Sequence, residues 1–384
     1  MSKLMEGSQA VAKVVNLCEP AVVSAYPITP QTHIVEDLAK YKADGKAKYE
    51  YIRAESEFAA ASVVLGASAT GVRTYTATSS QGLLLMTEVL FNIAGMRLPV
   101  VLTCANRAVS APISIWNDQQ DSVTVRDSGW LMLYAEHNQE VADMHLMAYK
   151  IAEKSRLPVM VNMDGFLLTH TFEPVDIPSK LQVRKYLPKY KAPKGSILDP
   201  QDPKSLGCFA TPDYYFEIRQ ELAEDVVKSK KVIKKSMREF KKIFKRGNSK
   251  MVEYYGPQDA QTVLVAMGSV IGTIKDFVDK YNKKYKSKIA VLKIKVFRPF
   301  PDKEICKYLE EKKYIAVIDK SISMGTEGIL GTDIKRAMYE CSKHPQIKNY
   351  IMGLGGRDIT EKMLFDVVKN LKKKGKKTLI FKGK

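Results

Sequence analysis

The sequence holds only five cysteines in 384 residues, Cys18, Cys104, Cys208, Cys306 and Cys341, and no two of them form a C-x-x-C pair. That scatter suggests neither a disulfide framework nor a zinc or iron–sulfur ligand set. No metal ligands are assigned, and any metal cluster is expected to belong to another chain. Also missing is an apolar run of membrane-spanning length, and the opening MSKLMEGSQAVAKVV lacks the apolar core and cleavage site of a signal peptide. A soluble, cytoplasmic protein with no membrane partner is expected. Basic clusters interleaved with aromatics as a stacking platform are absent too, so no nucleic-acid partner is expected.

What is present is apolar content and unevenly placed charge. At 45% hydrophobic residues the chain can bury more than one core. Residues 1–178 carry 14 Lys and Arg against 19 Asp and Glu, whereas the remainder carries 47 against 23. The asymmetry points to a chemical half joined to a half that meets something acidic.

Residues 1–178 alternate short β-rich runs (AVVSAYP, RTYTATS, LPVVLTC, LPVMVNM) with Ala- and Leu-rich helical stretches. Such βα alternation indicates a mainly parallel sheet. A second βα series begins near Gln261 with QTVLVAMGS, KIAVLKIKVFRPFP and KYIAVIDKS. The fold class expected is therefore α/β with two parallel-sheet domains, 1–178 and 258–384, joined by a lysine-rich segment at 179–257. Inside that segment, Lys228 to Lys250 holds 11 Lys and Arg and one acid, Glu239. Ile233, Met237, Phe240 and Phe244 step by 4, 3 and 4, which places them on one helical stripe. A helix packed on one face and solvated on the other is the expectation.

The stretch AYPITPQT follows the first apolar run, and its prolines hold Tyr26 and Thr29 extended. Ligands of open parallel sheets bind beyond the carboxyl ends of the strands. Three residues fall there: Thr29, Glu57 in ESEFAAASVVLGAS, and Arg107 in CANRAVSAP. Singly they read as a helix cap, a helix-start acid and a surface or structural cation. Together at one sheet edge they favour a site for an anionic substrate.

The stretches AYPITPQT, ESEFAAASVVLGAS, ANRAVSAPISIWNDQQD, SGWLMLYAEHNQEVADM and LPVMVNMDGF resemble the pyrimidine-binding domain of 2-oxoacid:ferredoxin oxidoreductases. LKIKVFRPFP, SMGTEGILGTDI and GLGGRDIT resemble the transketolase C-terminal-like domain that follows in the alpha chain of multi-subunit pyruvate:ferredoxin oxidoreductases. The resemblance implies that Glu57 hydrogen-bonds N1′ of the thiamine diphosphate pyrimidine and so takes part in acid–base catalysis. It implies that Thr29 and Arg107 hold the 2-oxoacid carboxylate, a task that suits the fixed fork of a guanidinium. The reaction implied is oxidative decarboxylation of pyruvate with CoA to acetyl-CoA and CO2, electrons passing to ferredoxin, reversible as a pyruvate synthase.

The Gly-Asp-Gly motif that holds Mg2+ and diphosphate is missing, since NMDGF has Met163 at its first glycine position. The resemblance therefore implies an obligate subunit. Mg2+ and [4Fe-4S] clusters would be held by partners: a diphosphate-binding beta chain, a gamma chain and a ferredoxin-like delta chain. The same chemistry on a branched-chain 2-oxoacid or 2-oxoglutarate stays open, because Thr29 and Arg107 address only the carboxylate. A non-catalytic adaptor docking an acidic partner and a non-redox thiamine enzyme subunit are the competing classes.

Overall fold

In the computed structural model, residues 2–372 and 379–383 are described. Met1, 373–378 and Lys384, which belong to the two outer segments bounded from the sequence, lie outside them. The chain runs β1 (Lys3–Glu6), α1 (Gly7–Leu17), β2 (Val22–Ala25), α2 (Thr32–Ala43), β3 (Glu50–Arg53) and α3 (Glu57–Ala69). Next come β4 (Thr74–Thr78), α4 (Ser80–Leu85), α5 (Thr87–Gly95), β5 (Val101–Asn106), α6 (Gln120–Thr124) and β6 (Leu131–Tyr134). Then follow α7 (Asn138–Ser155), β7 (Val159–Asp164), β8 (Phe172–Val175), α8 (Lys180–Tyr186) and α9 (Pro212–Phe244). The last part holds β9 (Val252–Tyr255), β10 (Thr262–Ala266), α10 (Val270–Lys284), β11 (Ile289–Ile294), β12 (Val296–Arg298) and α11 (Asp302–Leu309). It closes with β13 (Tyr314–Asp319), α12 (Ile329–Tyr339), β14 (Gln346–Ile351), α13 (Glu361–Leu371) and β15 (Leu379–Phe381).

One sheet has the order β12-β6-β7-β5-β4-β2-β3, parallel except for β12 at its edge. The other has the order β15-β14-β13-β10-β11-β9, parallel except for β9. The central strands β5 and β7 are buried at every position, as helices on both faces of a parallel sheet require. The chain is thus α/β with two mainly parallel sheets, and no helix among the described residues is long and apolar enough to cross a membrane.

The sheets share structure that sequence patterning left separate. β9 lies within the stretch read as a connector, yet it pairs with β11. β12 comes from the second βα series but pairs antiparallel with β6 of the first sheet. Leu90, Trp130 and Met132 accordingly share one buried cluster with Val265, Leu292 and Phe297. A buried ionic knot crosses the same boundary. Lys293, on β11 and 2% exposed, donates to Glu136 and Glu140 at 2.7 Å each, and Lys275 reaches Glu136 at 2.9 Å.

The lysine-rich helix is longer than its stripe suggested. α9 spans 33 residues and opens with Pro212 at its first turn, where the missing N–H costs nothing. Ile233, Met237, Phe240 and Phe244 are all buried, with Phe240 and Phe244 packed on Tyr186 of α8. Some of its positive charge is used internally, because Lys230 pairs with Asp302 at 3.2 Å, Lys234 with Glu304, and Glu239 with Lys150 of α7. One correction concerns cysteine. Where the scatter suggested no disulfide framework, the packing of α11 beside α12 brings the Cα atoms of Cys306 and Cys341 to 5.9 Å, and the two are bonded.

Candidate active site

The three residues singled out from the sequence follow β2, β3 and β5, so they share the carboxyl edge of the first sheet. Thr29 is exposed in a turn, joined to Pro30 by a cis peptide bond. It is not a helix cap. That position belongs to Gln31, whose side chain instead donates to Ala77 O (2.7 Å) and Tyr26 O (3.3 Å), tying the loop to the end of β4.

Arg107 is 6% exposed and surrounded by neutral acceptors. Its Nη1 donates to the Thr29 carbonyl at 2.8 Å, Nε to Ser114 O at 2.9 Å, and Nη2 to Gln81 Oε1 at 3.4 Å. Burial pushes the guanidinium below its ordinary value, and the Asp121 carboxylate opposes this. No carboxylate pairs directly with the guanidinium among the described residues, so its charge and its two remaining N–H groups are left for an anion. Thr29 thus touches Arg107 through its carbonyl, while its hydroxyl has no partner among the described residues.

Glu57 begins α3, which Ser56 caps by accepting the Ala59 N–H at 3.2 Å. The carboxyl-bearing residue is only 7% exposed and makes no hydrogen bond or ion pair among the described residues. Its carboxyl oxygens keep some contact with solvent and have no protein partner among the described residues, so the group can hydrogen-bond an incoming ligand. Phe58 is 39% exposed, and the close approach comes from Gly82 of α4, where an added Cβ would sit 2.6 Å from Glu57 Oε1 and 2.5 Å from Thr78 Oγ1. Thr78 Oγ1 is itself buried without a partner. An unpartnered carboxylate beside a cradle that only glycine leaves open fits the edge of a hydrogen-bonding heterocycle such as an aminopyrimidine.

The start of α4 is what joins the three residues, and the sequence reading passed over it. Gln81 touches Arg107 while Gly82 touches Glu57. Ser80 sits at φ +49, a strained conformation for a non-glycine residue, and its N–H donates to Asp121 Oδ2 at 3.0 Å. The same carboxylate oxygen accepts from Arg107 N at 2.9 Å, while Oδ1 accepts from Asn106 Nδ2 at 2.9 Å. Asp121 thus fixes the backbone on which both Arg107 and Gln81 stand. Its signal was the polar run SSQG directly after the strand TYTAT, which has no helical or strand period. Asp164 of NMDGF serves another purpose: it is buried and bonded to Lys320 (3.1 Å) and Ser269 Oγ (2.5 Å), linking the two sheets.

Comparison with known proteins gives the family of the chain. Residues 13–238 match the family of the thiamine diphosphate-binding domain of pyruvate flavodoxin/ferredoxin oxidoreductases, and residues 260–364 match pyruvate:ferredoxin oxidoreductase core domain II. The chain is 48% identical to pyruvate synthase subunit PorA of Methanosarcina barkeri, over 97% of this chain and 93% of that one. It is 44% identical to ketoisovalerate oxidoreductase subunit VorA of Pyrococcus horikoshii, over 97% and 94% respectively. A solved 2-oxoglutarate:ferredoxin oxidoreductase from Magnetococcus marinus, with 2-oxoglutarate, coenzyme A and succinyl-CoA bound, superposes with a TM-score of 0.72 at 20% identity. The superposition covers 96% of this chain and 65% of that one, and at such identity it speaks for the fold. With more than half of its length matched by the first domain family and near-half identity to full-length relatives, the chain belongs to the pyruvate flavodoxin/ferredoxin oxidoreductase family.

Proposed function

We propose that this chain is the alpha-type subunit of a pyruvate synthase and contributes the pyrimidine half of a shared thiamine diphosphate site. The observation that carries the proposal is the unpartnered carboxylate of Glu57, a residue only 7% exposed, at the same sheet edge as the anion-ready Arg107. Thiamine diphosphate, when bound, supplies the electron sink for loss of CO2. Glu57 would exchange a proton at the pyrimidine N1′, and Arg107 would pair with the substrate carboxylate beside the Thr29 hydroxyl. Gln81 and Ser114 hold the guanidinium fork in place for that pairing. Mg2+, diphosphate and the iron–sulfur clusters are assigned to partner chains, and CoA and ferredoxin to the assembled complex in the cytoplasm. A branched-chain 2-oxoacid is the second reading, because VorA relatives match at 44 to 45% identity and PorA relatives at 44 to 50%.

The deciding experiment is turnover of the native complex, with CoA and ferredoxin, on pyruvate, a branched-chain 2-oxoacid and 2-oxoglutarate. Pyruvate is expected to give the highest kcat/KM; a higher value for another acid overturns the substrate assignment. Arg107→Lys is expected to raise the pyruvate KM with loss of roughly 1 to 3 kcal/mol, since a point charge replaces a fork. An unchanged KM would make Arg107 structural. Gly82→Ala is expected to lower turnover about tenfold or more by displacing the Glu57 carboxylate, with the thermal midpoint moved by only a few degrees. Steady-state kinetics beside a melting curve separate the two effects.

A further inference from the structure

A second cluster of ligating side chains makes no hydrogen bond or ion pair with Glu57 or Arg107 among the described residues, although its His33 lies one turn beyond Thr29. We propose that Glu6, His33 and His170 form a binding site for a single divalent transition-metal ion of the zinc type. The three come from the end of β1, the first turn of α2 and the loop between β7 and β8, and their ligand atoms all lie within 4.8 Å of one another. His33 Nδ1 is 2.7 Å from Glu6 Oε1, and the two imidazole rings face each other with centroids 4.6 Å apart. Zinc–nitrogen bonds of about 2.0 Å in a tetrahedron set ligand atoms about 3.3 Å apart, so shifts of about 1.5 Å or less complete the shell.

The surroundings suit a cation. Glu6 is 8% exposed, and His33 is its hydrogen-bonding partner among the described residues. Glu36 and Asp37 add negative charge beside His33. His170 has its Nδ1 at 2.7 Å from Thr169 Oγ1, which leaves Nε2 free and orients the ring as a carbonyl or hydroxyl partner does for a metal-bound histidine. Two nitrogens and one carboxylate favour zinc, cobalt or nickel over Mg2+ and Ca2+, which prefer oxygen. The site is therefore distinct in kind from the Mg2+ of a diphosphate. Three protein ligands leave a fourth position open, and the half-exposed His33 places that position toward solvent. Its sequence signal was invisible, because the ligands lie 27 and 137 residues apart rather than at a short spacing.

The test is a titration of the chelator-treated full chain with Co2+ alone, read by visible d–d absorption and confirmed by competition with Zn2+. One equivalent per chain, with a dissociation constant in the micromolar range or tighter, is expected. His33→Ala and His170→Ala should each weaken binding at least tenfold; His33 is partly exposed, so its loss leaves the fold intact by circular dichroism. Glu6→Gln, a near-isosteric change, should weaken it as well. Absence of saturable binding, or binding unchanged in both histidine variants, reduces the cluster to an ion pair beside a ring contact. A sulfur-to-cobalt charge-transfer band would place the ion on a thiolate such as the free, exposed Cys208 and equally overturn the proposal.

Discussion

Glu57→Gln in the assembled complex is expected to fold normally and to lower turnover by about two orders of magnitude or more. The size follows from the role. A carboxylate that exchanges a proton with the pyrimidine acts in the transition state, whereas an amide of the same shape can only donate or accept one fixed hydrogen bond. Folding should survive because Glu57 makes no hydrogen bond among the described residues, so the isosteric change costs only a helix-start charge, about 0.3 to 1 kcal/mol. Exchange of the thiamine C2 proton should slow in parallel with turnover. Exchange at the wild-type rate in the variant would remove Glu57 from the proton relay, whatever happens to overall activity.

Lys293→Met is expected to destabilise the chain by about 3 to 5 kcal/mol, because it leaves Glu136 and Glu140 buried without their shared cation. Denaturant unfolding measures this; a loss below about 1 kcal/mol would show that Lys275 and Lys295 suffice to hold the two carboxylates. The same knot sets an acid limit. Burial by itself would raise the Glu140 carboxyl, but Lys293 and Lys295 hold it down to about 2 from an ordinary 4.5. A depressed folded value means stability that is fully present above the unfolded value and lost as pH falls. The window therefore runs from about pH 5 down to about pH 2, with about 3 kcal/mol at stake. In Lys293→Met that acid limb should shrink. A variant whose stability falls as steeply as the parent's between those pH values would place the acid sensitivity elsewhere.

Much of the site was legible because its local cues are strong. Two prolines around Ile28 and Thr29, a glutamate at a helix start after a strand, and an arginine just past a largely apolar strand each announce a position at a sheet edge without any tertiary information. The stripe of Ile233, Met237, Phe240 and Phe244 was equally legible, since helical period alone decides which face is buried. What was not legible depends on pairs of residues far apart in the chain. Gln81 beside Arg107, Gly82 against Glu57, and Asp121 holding Ser80 and Arg107 are contacts made by chain crossings, and no period encodes them.

By itself, then, the sequence determined the α/β class, the presence of two βα series and the three edge residues, because side-chain periodicity, proline geometry and strand-end placement act within a few residues. Only the tertiary structure decided that β12 leaves its own βα series to pair with β6, that Lys293 is buried between two glutamates of the other sheet, and that Cys306 meets Cys341. The physical reason is one of range. A hydrogen-bonding edge, a buried charge and a thiol each accept any suitable partner, and which partner arrives is settled by how whole sheets and helices pack.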